Sequence, residues 1–129
     1  VATSDQLAYD DGWSALRAAR FDDAATAFAR TISEAPGGSL ADDARFWHAV
    51  ALARGHHSTV AILAFREAID EHAGSSHAAE ASAMLGWLLV EAKLLPEARA
   101  RFAAAADDAN DRVRTSARAG LDALAGAGH

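Results

Sequence analysis

Apolar residues recur along the chain at the three- and four-residue spacing of an amphipathic α-helix. Tyr9, Trp13 and Leu16 follow this spacing near the start of the chain, and Val113, Ala117, Leu121 and Leu124 follow it near the end. Short polar or glycine-rich breaks separate the apolar segments. The pattern therefore predicts seven helices, arranged as three helix pairs and a closing helix.

A step of 37 residues relates the three predicted helix pairs. Five sets of positions share this step: Gly12, Ala49 and Gly86; Trp13, Val50 and Trp87; Ala15, Leu52 and Leu89; Ala24, Ala61 and Ala98; and Phe28, Phe65 and Phe102. A fixed period of this length is typical of helical-repeat proteins. We predict one domain over residues 1–129, with repeats at about 4–37, 38–75 and 76–109 and a capping helix at about 111–125.

Turn and capping residues fall between the predicted helices. Pro36 to Ser39 separates the first two copies, and Ser39 with Asp42 has the spacing of a capping box. Pro96 suits a first helical turn, where the missing N–H would be unpaired in any case. These signals predict a helix start just after Ser39 and another close to Pro96.

Composition supports helix and excludes two classes of function. The 129 residues include 36 alanines and two prolines, and 51% of them are hydrophobic. Because the net charge of −6 is spread along the chain, the protein lacks the basic stripe that nucleic-acid binding requires. No apolar run approaches the roughly 20 residues of a membrane span, so we expect no direct membrane insertion.

The order of small and aromatic residues in each copy resembles the tetratricopeptide repeat. Copy one supplies the pattern as Gly12, Ala24, Phe28 and Pro36. The longer period, with Ala44 to Trp47 and Leu85 to Trp87, is similar to the subtype in the C-terminal domain of the Tol–Pal system periplasmic protein and in outer-membrane assembly lipoproteins. The resemblance implies a right-handed α-solenoid that binds another protein or peptide, in the periplasm or cell envelope. A cytosolic regulatory or oligomerisation segment of a larger signalling protein is the alternative.

In the tetratricopeptide family the first helix of each pair lines a concave groove. Carried over by position, the groove here would consist of Tyr9, Trp13, Leu16, Phe46, Val50, Trp87 and Val90. These side chains are apolar or aromatic, which favours an amphipathic helix or an extended apolar peptide as the partner. An equally weighted interpretation is that the same aromatic residues pack in the core.

The remaining chemistry-bearing residues do not predict catalysis. His56, His57, His72 and His77 fall in predicted loops, without carboxylates at the spacing of a tetrahedral metal site. Ser75 and Ser76 lie beside histidines but in an inter-repeat turn, which offers no oxyanion hole. We therefore expect no enzyme activity, no cofactor and no bound metal, and the oligomeric state stays open.

Overall fold

Seven α-helices and no β-strand make up residues 1–127, the part of the chain that the computed structural model describes. The helices are α1 (Ser4–Arg17), α2 (Phe21–Glu34), α3 (Ala41–Arg54), α4 (Ser58–Asp70), α5 (Ala78–Glu91), α6 (Leu95–Ala105) and α7 (Asp111–Ala127). The predicted all-α class is confirmed. The predicted end of the domain at residue 129 lies outside the described residues. No described helix has the combination of length and apolar character needed to span a membrane.

Helix starts recur with the period found in the sequence. The starts of α1, α3 and α5 at Ser4, Ala41 and Ala78 are 37 residues apart, and so are those of α2, α4 and α6 at Phe21, Ser58 and Leu95. The sequence pattern and the helix starts therefore repeat with the same 37-residue period over the first six helices.

The turns inside the three pairs have the same backbone conformation. Their left-handed residues are Ala19 (φ 59°), His56 (φ 64°) and Lys93 (φ 65°), again 37 positions apart. After each of them, the next backbone N–H bonds to a carbonyl five residues earlier: Arg20 to Ala15 at 2.8 Å, His57 to Leu52 at 2.9 Å and Leu94 to Leu89 at 2.9 Å. This is the Schellman arrangement, which satisfies carbonyls at a helix end and starts the next helix directly.

The described contacts divide the chain into two compact units, residues 1–68 and 69–129. In the first unit α1 packs on α2, and α2 packs on α3. Gly12 makes the α1–α2 contact close, because a Cβ placed there would lie 2.7 Å from Cε1 of Phe28. The rings of Phe46 on α3 and Phe65 on α4 lie edge to face at 6.4 Å.

In the second unit α5, α6 and α7 all contact one another. Phe102 of α6 is fully buried, with glycines on both neighbouring helices. A Cβ on Gly86 of α5 would lie 2.5 Å from its ring, and one on Gly120 of α7 would lie 2.4 Å from it. Helix α7 buries Val113, Ala117 and Leu124, three of the four residues on the face that its spacing predicted, and half-buries the fourth, Leu121.

Helix starts are capped differently from the sequence prediction. The capping box at Ser39 is wrong: α3 begins one residue later, with Leu40 as its N-cap and no side-chain cap bond. Pro96 does lie in the first turn of α6. Asn110 was not predicted as a cap, yet its Oδ1 accepts hydrogen bonds from the backbone N–H groups of Arg112 at 3.0 Å and Val113 at 3.2 Å. This cap fixes the start of α7.

Candidate binding surfaces

An aromatic cluster on α1 and α3 is the main candidate surface of the first unit. Trp13 and Trp47 are half-buried, and their ring centroids lie 4.6 Å apart. Trp13 also packs edge to face on the buried Phe28 at 6.1 Å, while Tyr9 contacts both Trp13 at 6.5 Å and Phe28 at 5.8 Å. Contact with the core on one side holds the rings in place, and their other edges remain accessible to solvent. We call Tyr9, Trp13 and Trp47 the aromatic patch.

Trp87 on α5 is the corresponding candidate in the second unit. Its side chain is 37% exposed, the highest value among the predicted groove residues. The indole Nε1 donates a hydrogen bond to Oγ of Ser116 on α7 at 3.0 Å, and the ring lies edge to face with Phe102 at 5.0 Å. Two contacts on different helices therefore fix the orientation of a partly exposed ring. Val90, one turn further along α5, is half-buried.

Three predicted groove residues belong to the core. Leu16, Phe46 and Val50 are 6%, 2% and 1% exposed, respectively. In this conformation they have almost no surface to offer a partner. Phe46 packs against the rings of Trp47 and Phe65, which explains its burial.

Trp47 is a surface residue that was not among the predicted groove residues. Counting from the small residue Ala49 selected Phe46 instead, one position earlier on α3. Trp47 lies three residues before Val50, so a face defined by three- and four-residue spacing from Val50 would have included it. The missing information was the presence of Trp13 on α1, against which Trp47 packs.

A second feature of the first unit is a cleft among α2, α3 and α4. His48 of α3 lies in its lining and is half-buried. Burial lowers the pKa of His48, because the charged imidazolium loses hydration, and the negative charge of Glu67 only partly opposes this shift. At neutral pH the imidazole is therefore uncharged, with one ring nitrogen as donor and the other as acceptor.

The loop histidines have local structural contacts. Nε2 of His57 lies 2.7 Å from Oδ1 of Asp22, and this contact joins the start of α4 to the start of α2. His56 occupies the left-handed turn position described above. Oγ of Ser75 accepts a hydrogen bond from the backbone N–H of His77 at 3.1 Å, so this hydroxyl helps to close the turn before α5.

The aromatic patch and Trp87 share a chemistry that suits an apolar partner. Both present large, rigid rings whose positions are fixed by packing before any partner arrives, which reduces the entropy lost on binding.

Compared with known proteins, the chain matches no protein-family model, and no curated protein matches it significantly.

Proposed function

We propose that this chain is a tetratricopeptide-type repeat module, with three helix pairs and a capping helix in a right-handed solenoid, that binds another protein or peptide. The 37-residue step shared by helix starts and left-handed turns supports a repeat origin. The close approach of Gly12 to Phe28 and of Gly86 to Phe102 supports the small-residue role that the family pattern implies.

One observation carries the binding function: tryptophans remain partly exposed on α1, α3 and α5, although each of these helices also buries several other apolar side chains. Exposing the large apolar ring of tryptophan to water is unfavourable. Tryptophan is also enriched at the hot spots of protein–protein interfaces. Trp13, Trp47 and Trp87 are each held by ring contacts, and Trp87 also by its hydrogen bond to Ser116. Such preformed aromatic surface suits an amphipathic helix or an extended apolar peptide.

We place the module in the bacterial periplasm or cell envelope on the family resemblance alone, as an adaptor without catalysis. Binding through apolar rings predicts an affinity that depends weakly on salt, because screening acts on charges and not on buried apolar area.

The test begins with affinity capture from a bacterial envelope extract, followed by titration of the purified partner. Replacing Trp87 by Ala removes exposed ring surface at a position 37% open to solvent. We expect weaker binding by about 2 kcal/mol, as for hot-spot truncations. Trp13→Leu is the second variant, since leucine keeps apolar contact with Phe28. Leu63→Ala is the matched control, because Leu63 is 56% exposed on α4, outside both candidate surfaces.

The outcomes separate the hypotheses. Normal binding by both tryptophan variants would refute the proposed surface, and a loss with Leu63→Ala instead would move it to α4. Loss of the folded state in both variants would assign the tryptophans to the core. Capture of a second copy of the 13.4 kDa chain would favour the oligomerisation alternative.

A further inference from the structure

The cleft among α2, α3 and α4 combines apolar walls with a few polar groups, as small-molecule sites do. Its volume is about 250 Å³, somewhat below the range of about 300 to 1,000 Å³ that holds drug-sized ligands. Ala29 and Ile32 of α2 and Ala64 of α4 form apolar walls, and Arg45, His48 and Glu67 supply polar groups. The cleft therefore suits a ligand smaller than a drug, with one apolar part and a few charged or polar atoms.

Two opposite charges line this cleft without neutralising each other. Among the described residues, neither Arg45 nor Glu67 forms an ion pair. Nη2 of Arg45 donates to the carbonyl oxygen of Pro36 at 2.9 Å, which fixes the guanidinium on α3 while leaving its charge uncompensated. A guanidinium and a carboxylate that both border one cavity offer complementary partners to a molecule that carries both signs of charge.

His48 lies between Arg45 and Glu67 in the sequence and lines the same cleft. Its uncharged ring adds a hydrogen-bonding group there. Its ring makes no hydrogen bond to the described residues, and neither of its nitrogens is sealed from solvent. Because both ring nitrogens lack protein partners in a partly dehydrated position, a ligand can satisfy one or both. The hydroxyl of Ser33 borders the same cleft.

We propose that this cleft binds a small zwitterion, an α-amino acid with a branched aliphatic side chain such as that of leucine. Arg45 pairs with the carboxylate, Glu67 with the ammonium group, and His48 donates or accepts one hydrogen bond. The apolar side chain of the ligand lies against Ile32, Ala29 and Ala64, which form the apolar walls of the cleft. The site uses α2, α4 and the α3 residues Arg45 and His48, whereas the aromatic patch uses α1 and Trp47 of α3. No residue is shared, so this inference goes beyond the proposed function and does not depend on it.

The experiment measures binding to the full chain by isothermal titration calorimetry at about pH 7.5, where imidazole is mainly neutral. L-Leucine is the probe. Two analogues of the same shape each lack one charge: 4-methylpentanoate has no ammonium group, and 3-methylbutylamine has no carboxylate. We expect saturable binding of L-leucine with a Kd below about 1 mM, and at least about tenfold weaker binding of both analogues, because each loses a charge-assisted hydrogen bond.

Variants connect the binding to the residues. Arg45→Gln and Glu67→Gln should each weaken L-leucine binding by about tenfold or more. Since Arg45 also bonds to Pro36, Glu67→Gln is the safer variant for the fold, and far-ultraviolet circular dichroism of both checks their helix content. Arg99→Gln and Glu91→Gln are matched controls on exposed positions of the second unit and should bind like the parent.

Four results would overturn the proposal: no heat of binding from L-leucine, equal binding of either singly charged analogue, unchanged binding by folded Glu67→Gln, or an equal loss in the control variants. Selective binding of the zwitterion, reduced by both cleft variants and by neither control, would establish the site. Loss of partner binding in the tryptophan variants would have no bearing on these results, so the two proposals fail separately.

Discussion

Replacing Gly86 by Ala tests the closest helix contact of the second unit. A Cβ at this position would lie 2.5 Å from Cε1 of Phe102, well inside van der Waals contact. The ring has little room to retreat, because it is fully buried and Gly120 of α7 approaches it equally closely. Overpacking of this kind costs about 1 to 3 kcal/mol, while alanine in a helix interior returns about 1 kcal/mol relative to glycine.

Because the ring has little room to retreat, we expect an overpacking cost of about 2 to 3 kcal/mol, so the net effect should be a loss of about 1 to 2 kcal/mol in the free energy of unfolding. For a chain of this size that corresponds to a Tm lower by roughly 3 to 10 °C, measured by thermal circular dichroism. Gly126→Ala is the matched control, since Gly126 likewise lies in a helix, α7, and nothing lies within 4 Å of a Cβ there. Its Tm should stay level or rise.

A second-site change makes the Gly86 prediction sharper. Phe102→Leu alone should destabilise the chain by removing buried aromatic surface, but it opens space beside Gly86. The double variant should therefore lose less than the sum of the two single changes, which a double-mutant cycle measures. If Gly86→Ala melts at or above the parent temperature, or if the cycle shows no coupling, the described contact is wrong.

Three further changes test the core, the cleft and the turns. Phe65→Ala should cost about 3 to 5 kcal/mol in chemical denaturation, because Phe65 is fully buried against another ring; a melt within a degree or two of the parent would place it outside the core. Burial lowers the pKa of His48 despite the opposing charge of Glu67, so the unfolded chain binds more protons than the folded chain below about pH 7. Stability should fall from about pH 7 to pH 5, and His48→Gln should flatten that fall; an unchanged pH profile would contradict the shift. Ala19→Gly should stabilise the chain by about 0.5 to 1 kcal/mol, because Ala19 has φ 59°, and an equal or lower Tm would argue against the left-handed turn.

Much of the helical architecture could be predicted because the signals were local and repeated. The step relating Ala24, Ala61 and Ala98 in the sequence also relates the starts of α2, α4 and α6. Apolar spacing in α7 predicted the buried side chains of Val113 and Ala117. Each of these features depends on one helix and its immediate contacts. The spacing of residues along the sequence was therefore enough to predict the period of the helix starts and the buried face of α7.

The turns could not be predicted, because they depend on backbone geometry that the usual residue signals do not mark. Glycine is the common residue at the left-handed position of a Schellman turn, yet His56 occupies it directly after Gly55. Ser39 had the spacing of a capping box, but the backbone places the helix start after Leu40. Several side chains can satisfy the same helix end, so composition alone does not select one.

The candidate surface was predicted only in part, because helical spacing gives the direction of a side chain and not the extent of its burial. Phe46 and Trp47 are neighbours on α3, and both rings contact each other at 4.9 Å, yet Phe46 is 2% exposed and Trp47 is half-buried. Phe46 meets Phe65 of α4, whereas Trp47 meets the partly exposed Trp13 of α1. The difference is set by residues far away in the sequence. A surface in a helical repeat therefore has to be inferred from pairs of neighbouring helices, and here the pair α1 and α3 selects Trp47 as the residue to test beside Trp13.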